Sequence, residues 1–332
     1  MGDAFSDMAG GQEHGTPSPQ MQAFKNAKTV DQGGIVDTDP GYIRVTDAAP
    51  ENGVFTLVGG YVDEDGRVQN EVELRAMTGD EEDLLGSIGQ DPVQKMNAVM
   101  ARCVNRLGDI TDKGKIHQAV SSMPSGTRTH LLLCLRIASH WKAEKDIYTM
   151  NVRCPMDNCG KEGQYSVSLL DLELYEPEDP TKTSYISELP YSSKKVHWRV
   201  MGSAQDAIMS QIAKTDRARA MTYAIMVRLL EIEGEDMELT ARDFFGGETM
   251  KARKMRLSKK ARQSFDFVRN LPTGDRQFLR NHFNDNEPAV NTDIEVECVH
   301  CQREFVTFLD VAQPDFFFPR GTSQRWRQRR SF

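Results

Sequence analysis

Two rhythms of apolar positions run along the chain. Between Val54 and Leu74 the pattern is that of a β-hairpin. Val54-Phe55-Thr56-Leu57-Val58 and Tyr61-Val62 run out, Asp65-Gly66 turns, and Val68 through Leu74 return. The period then lengthens to three and four. Thr78-Gly79-Asp80-Glu81 has the form of a capping box, with the Thr78 hydroxyl on the Glu81 amide and the Glu81 carboxylate reaching back. The helix it opens carries Leu84, Leu85 and Ile88, and Gly89-Gln90-Asp91-Pro92 interrupts it. A second helix is predicted over 93–107, with Met96, Val99, Met100, Cys103, Val104 and Leu107 on one face. A short third helix spans Lys115–Ser121. After the turn Met123-Pro124-Ser125-Gly126, the residues Leu131, Leu132, Cys134, Leu135, Ala138 and Trp141 form a long apolar stripe. A strand over Asp146–Val152 follows.

The second half repeats this order. Leu74–Leu85 aligns with Trp198–Met209, Val99–Arg102 with Ile225–Arg228, Met123–Arg128 with Leu271–Arg276, and Cys154 with Cys298. Four matches in one order, with spacings that change where a loop could be inserted, read as an internal duplication. The extra residues in the second copy fall around Gly234–Leu257 and carry Phe244-Phe245-Gly246-Gly247. The basic run there (Lys251, Arg253, Lys254, Arg256, Lys259, Lys260, Arg262) reads either as a solvated helix face or as a docking surface for an acidic partner.

Chemistry enters with the cysteines. A strand-like run ends in Val152-Arg153-Cys154, four residues separate Cys154 from Cys159, and Gln164–Asp171 return. Its echo is Val296-Glu297-Cys298, with two residues before Cys301 and a return over Glu304–Asp310. Two such knuckles supply the four thiolates of a closed tetrahedral zinc site. Alternatives are a Cys154–Cys159 disulfide, a redox pair, or a site that has lost its metal. Secretion, which a disulfide would suit, has no signal here, and redox pairs open helices rather than join strands. With four protein ligands such a zinc has no open position, so its role is structural. If the two copies pack about a pseudo-twofold axis, each half gives two ligands to one ion. Cys103 and Cys134 sit in helical stripes, where a thiol fills core space.

Composition narrows the class. The 332 residues carry 49 acidic against 41 basic side chains, a net charge of −8, which argues against bulk nucleic-acid binding. The first residues lack the basic and apolar regions of a signal peptide, and no apolar run approaches the ~20 residues of a membrane span. A soluble protein made in a reducing cytosol is expected, with no small-molecule substrate. Residues 1–50, rich in Gly, Pro, Ser and Asp, form an extended arm. Residues 51–178 hold the hairpin, the first helical unit and the first knuckle. Residues 179–319 hold the second unit and knuckle, and 320–332 an Arg-rich tail. In the run into that tail, Phe316, Phe317, Phe318, Arg325, Trp326 and Arg327 have the composition of an interface core, so a protein partner is expected there. A disordered basic tail and a nucleic-acid arm are the other readings. The histidines fit no H-E-x-x-H, and G-x-S-x-G and Walker A patterns do not occur. His300, inside the second knuckle, could stand in for a thiol. The acidic run Asp80–Asp83 suits a helix start without any catalytic role. No enzyme is expected.

Leu74-Arg75-Ala76-Met77-Thr78-Gly79-Asp80-Glu81-Glu82-Asp83-Leu84-Leu85, the Pro-Ser-Gly-x-Arg turn before an apolar helix, and the two cysteine knuckles together resemble the T-even-type phage baseplate family. That family includes hub and hub-assembly proteins of contractile-tailed phages, and the resemblance covers about residues 70–319. It implies a non-enzymatic virion or tail-assembly protein, made in the host cytoplasm and working beside hub and tape-measure proteins. In such families the first cysteine pair usually reads Cys-Pro-x-Cys; here Met156-Asp157-Asn158 follow the proline. The metal-ligand roles carry over to Cys154, Cys159, Cys298 and Cys301. The expected fold is α+β: tandem helical units, each ending in a knuckle hairpin, joined as a zinc ribbon. Rival functions are a tail-assembly chaperone that leaves before the particle matures and a zinc-ribbon nucleic-acid module.

Overall fold

Strands β1 (Val54–Val62) and β2 (Val68–Leu74) pair antiparallel, with Val54 opposite Glu73 and Val62 opposite Val68. The alternation buries Phe55, Leu57 and Val72 and leaves Thr56 and Glu71 outside. Their register slips between Thr56 and Tyr61, at Gly59 and Gly60, which both have positive φ. A Cβ on Gly59 would stand 2.7 Å from the Pro288 Cβ, so this bulge lets the strand press on a segment far away in sequence. The computed structural model describes residues 53–87, 91–140, 146–246, 255–311 and 314–317. The predicted arm, Ile88, Trp141, Lys251, Arg253, Lys254, Phe318 and the tail lie outside those residues.

Helix α1 (Gly79–Gly86) starts at the capping box, with a difference. The Thr78 hydroxyl turns to the Glu81 carboxylate (2.8 Å), which also accepts the Thr78 N–H (2.9 Å) and two bonds from the Arg75 guanidinium (3.0 and 2.8 Å). Helix α2 (Pro92–Cys103) is capped by Asp91, whose Oδ1 accepts from the amides of Val93 and Gln94. The helix expected to reach residue 107 stops at Cys103. Residues Val104–Leu107 instead form β3, pairing with β2. Val104 and Leu107 are buried either way, so periodicity does not separate the two outcomes. The open edge of β2 does, because its backbone groups need partners, and Arg106 adds an ion pair to Glu71 (2.6 Å). Helices α3 (Lys113–Ser122) and α4 (Ser125–His140) complete the packing, and α4 buries Leu131, Leu133, Cys134, Leu135 and Ile137.

Strands β4 (Ile147–Arg153) and β5 (Glu162–Ser168) form the first cysteine hairpin, followed by a 3-10 turn at Leu169–Asp171 and the two-residue β6 (Leu174–Tyr175). The chain then builds β7 (Ser184–Glu188), β8 (Lys195–Arg199), α5 (Ser203–Thr215), α6 (Ala220–Met226), β9 (Leu229–Ile232) and β10 (Glu235–Asp236). After them come α7 (Ala241–Phe245), α8 (Lys259–Asn270), α9 (Thr273–Asn286), β11 (Ala289–Val290), β12 (Asp293–Glu297), β13 (Glu304–Phe308) and the short α10 (Pro314–Phe317). The fold is thus mixed α+β with several small sheets. One sheet runs β1-β2-β3 and another β7-β8-β9-β10. Both carry a register irregularity at the join to the third strand, at Glu73/Leu74 and at His197/Trp198.

Two apolar cores result. The second gathers Trp198, Ile212, Tyr223, Phe244, Phe245, Leu279 and Phe283. Around it, Asp275 is fully buried and accepts the amides of Tyr191 and Ser192 (2.8 and 3.0 Å), tying α9 to the β7–β8 turn. The basic residues of α8 lie opposite its buried Ala261, Ser264 and Val268, and Lys260 pairs with Asp236 (2.7 Å). The first core takes in residues from both ends of the chain. Phe55, Leu57, Val99, Met100 and Leu131 are joined by Ile294, Val296, Phe305, Phe316 and Phe317, so the second cysteine hairpin packs into the first core.

A polar seam links the halves. The Ser125 amide donates to the Met201 carbonyl (2.8 Å) and its hydroxyl to Asp206 Oδ2 (2.8 Å). Arg128, nearly enclosed, pairs with Asp206 and donates to Asn97 Oδ1 (3.0 Å), and Asn97 donates to Ser203 Oγ (2.7 Å). Within the second half, beside this seam, Arg228 grips Glu287 with two bonds (2.7 and 2.8 Å), and Glu287 also accepts the Met201 amide (3.0 Å). Gly126, at the start of α4, is packed so tightly that a Cβ there would collide with the Pro288 carbonyl.

The buried ion pairs make two expectations. Burial raises the Asp206 carboxyl, although Arg128 opposes the shift, and burial likewise lowers Arg128, so desolvation outweighs the attraction. R128M alone should cost about 3–5 kcal/mol, and R128M with D206L far less, as denaturant unfolding would measure. The second expectation concerns Glu81, held down to about 2 from 4.5 by hydrogen bonds from Arg75, with Thr78 adding to them. A depressed carboxyl stabilises above its unfolded value, and that contribution is lost as pH falls from about 4.5 through about 2. Arg75 is partly exposed and screened, so the margin of the parent over E81Q should be about 1–2 kcal/mol at neutral pH and vanish near pH 2.

Candidate metal centre

The two knuckles are built alike from different sequences. In the first, the Cys154 amide donates to the Lys161 carbonyl (2.9 Å), and those of Cys159 and Gly160 to Met156 (2.9 and 3.1 Å). In the second, the Cys298 amide donates to Arg303 (2.9 Å) and that of Gln302 to Cys298 (2.8 Å). The residue after each second cysteine is left-handed: Gly160 at φ 56° and Gln302 at φ 58°. Glycine adopts this conformation freely, whereas Gln302 is held there by the turn. The longer first loop therefore closes with the same exit geometry as the shorter one.

Packing brings the knuckles together. β6, which follows the first hairpin, pairs antiparallel with β11, which precedes the second, with Tyr175 opposite Ala289. Asn291 ties its amide to the Glu173 carbonyl (2.8 Å). Beneath the cysteines, Tyr165 of β5 and Phe305 of β13 meet edge to face, ring centroids 6.0 Å apart. The inner face of β12 buries Ile294 and Val296 in the same core. Among the described residues the hairpins share no ladder of backbone hydrogen bonds with one another and form two separate two-stranded sheets.

At their tips the Sγ atoms of Cys154, Cys159, Cys298 and Cys301 all lie within 4.8 Å of one another. Two contacts run between the knuckles, Cys154–Cys301 and Cys159–Cys298, each at 3.8 Å. All six cysteines are free thiols. A tetrahedron with Zn–S bonds of ~2.3 Å has edges of about 3.8 Å, so this donor set fits zinc with small adjustment. Cys154 and Cys298 are buried, while Cys159 and Cys301 are partly exposed.

Electrostatics suit a cation. The amides of Cys301 and His300 point at the Cys298 sulfur and pull its thiol down to about 6 from 9.0. Burial pushes Cys154 the other way, up to about 12. One thiolate is thus favoured at neutral pH, and further charge in so small a volume needs a positive ion. His300, which could have replaced a thiol, turns aside: its Nε2 lies 2.9 Å from the Glu162 carbonyl and braces one knuckle against the other. Among the described residues it is not in the ligand cluster. Cys103 and Cys134 are fully buried in helices, with burial pushing Cys103 up to about 12 and Cys134 further in the same direction.

The other residues singled out in the sequence lie elsewhere. Phe316 and Phe317 are fully enclosed by this chain, Phe316 against Tyr148 at 5.2 Å between ring centroids. Their apolar surface is occupied within the first core. Phe318, Arg325, Trp326 and Arg327 lie outside the described residues. His130, which the sequence reading passed over, is buried and accepts the Val58 amide at Nδ1 (3.0 Å), and burial lowers it to about 4. Its place in the α4 stripe gave no sign that it would cap the β1 bulge.

These features define a two-core protein whose sequence-distant hairpins converge on a sulfur cluster suited to a structural ion. The chain belongs to the T4 bacteriophage base plate protein family, which matches it over residues 62–318. No curated protein and no solved structure matches it. Family membership makes it a phage tail baseplate component of structural character. Among the described residues no helix is long and apolar enough to cross a membrane.

Metal analysis of the purified chain should find about one zinc per molecule, and C301S should retain far less. Because the ligands must shed protons, affinity should fall as pH drops, most steeply once Cys298 begins to protonate near 6. Zinc release followed with a chromophoric chelator from pH 8 to 5 checks the sign.

Proposed function

We propose that the chain is a structural adaptor of a contractile-tail baseplate, a clamp whose two halves are set at a fixed angle by one zinc ion. The convergence of four sulfurs from residues as far apart as Cys154 and Cys301 carries this reading, taken together with the family. Structural zinc in finger peptides contributes ~10–16 kcal/mol, and even a fraction of that would outweigh the thermal freedom of two small hairpins. The ion acts as a staple, because its four protein ligands leave no position for a substrate.

The two halves are read as a tandem duplication. Each runs through a hairpin, a helix that opens with a residue bonded by the side chain three positions on (Thr78 to Glu81, Gly202 to Gln205), a third strand, further helices and a cysteine hairpin. On this reading residues 51–178 and 179–319 are sister units. Hub and tape-measure proteins are the partners proposed, with the segment through Phe318, Arg325, Trp326 and Arg327 as one contact.

Mass spectrometry of purified particles tests the role. An adaptor is present in mature tails, in fixed ratio to other baseplate proteins. A chain found in infected cells but missing from particles would mean a chaperone instead. Particles assembled with C154S/C301S should show a depleted or unstable baseplate by electron microscopy.

A further inference from the structure

The outward faces of the two cysteine hairpins differ in kind. On β4–β5, Thr149 and Ser166 share a hydrogen bond (3.0 Å), Asn151 stands opposite Gln164, and Arg153 opposite Glu162. That face is balanced in charge and mostly polar, with Ile147 as its one exposed large apolar side chain among the described residues. On β12–β13, Asp293 stands opposite Phe308, Glu295 opposite Val306, and Glu297 opposite Glu304. Val306 is 58% exposed and Phe308 64%, among the most exposed large apolar residues described. None of the four carboxylates is ion-paired among the described residues, and two of them oppose each other directly, an arrangement disfavoured in a free sheet. Exposed apolar side chains ringed by unpaired acids fit a partner segment that is basic and carries an aromatic.

The chain contains such a segment. Residues 320–332 hold Arg320, Arg325, Trp326, Arg327, Arg329 and Arg330 and no acidic residue. Fully extended they reach ~45 Å, against ~17 Å for a five-residue strand. The last described residue before this tail, Phe317, is buried in the first core, to which the inner face of the same hairpin also contributes. A tail of that length is long enough to cover the whole of such a face on a neighbouring copy.

We propose that the outward face of β12–β13 is a socket for the Arg-rich tail of a second copy of the chain. Arginines meet Asp293, Glu295, Glu297 and Glu304, and Trp326 covers Val306 and Phe308. A contact of this kind either closes as a reciprocal exchange between two copies or repeats head to tail around a ring or along a filament. It rests on the reading above of the tail as a protein contact and names the partner.

Light scattering on a size-exclusion column tests it with three chains: full length, a chain ending at Pro319, and the socket variant E295K/E297K/E304K. The full-length chain should self-associate with rising concentration and dissociate at high salt, while the other two stay monomeric. Mixed, the tail-less chain and the socket variant should form a heterodimer and nothing larger, since only one intact tail and one intact socket meet. Unchanged zinc content and thermal unfolding show that the variants fold; F308K replaces the triple variant if it does not. Self-association of the tail-less chain would overturn the proposal, as would a mixture that stays monomeric. A full-length chain monomeric throughout, as expected if the tail folds onto its own hairpin, would also overturn it. The adaptor role is judged separately, by presence in particles.

Discussion

Four sulfur atoms meeting at the tips of two hairpins are the constraint on which the arrangement turns. A two-stranded hairpin has little stability of its own, and each here has only one partner strand. Their inner faces are held by a common core through Tyr165, Val296 and Phe305, but a core is non-directional and tolerates sliding. A tetrahedral ion does not. With amides aimed at Cys298 and burial weighing against charge on Cys154, the cluster is poised for a cation, and the cation would fix register and angle together.

The polar seam works alongside. Arg128 with Asp206 crosses between the halves, and Arg228 with Glu287 braces the second half beside it, both at places where little water reaches them. Such pairs add little net stability, since the cost of desolvation consumes most of the attraction. Their effect is on alternatives: any packing that shifts one half leaves a buried charge alone. The contact of Gly126 with Pro288 adds a steric limit to the same junction. A baseplate component must hold its shape while neighbours load it; buried ion pairs and a close backbone contact resist different displacements, and an ion held by the four sulfurs would resist a third.

What could be read in advance was local. The β1–β2 hairpin, the capping box at Thr78, the stripe of α4 and both cysteine turns follow from periodicity and from residues a few positions apart. The expectation that four cysteines would share one site also held as far as their sulfurs are concerned. Departures came wherever a distant segment decided. Val104–Leu107 joined β2 as a strand because that edge needed hydrogen bonds. Phe316 and Phe317, whose composition suggested an interface, filled the chain's own core beside Tyr148. His300 took a carbonyl from the other knuckle, and Thr78 gave its hydroxyl to a carboxylate that Arg75 had already fixed.

The sequence by itself determined the β1–β2 hairpin, the helix starts and apolar stripes of the first half, the two thiol pairs and the likeness to a baseplate family, because each is written in spacings within one helix, one turn or one motif. Only the tertiary structure decided that the second hairpin packs into the first core, that Cys154 faces Cys301 and Cys159 faces Cys298, and that one hairpin surface is balanced in charge while the other bears acids with no ion-pair partner among the described residues, around exposed apolar side chains. Those outcomes depend on which distant faces exclude water together, and spacing along a chain does not record that.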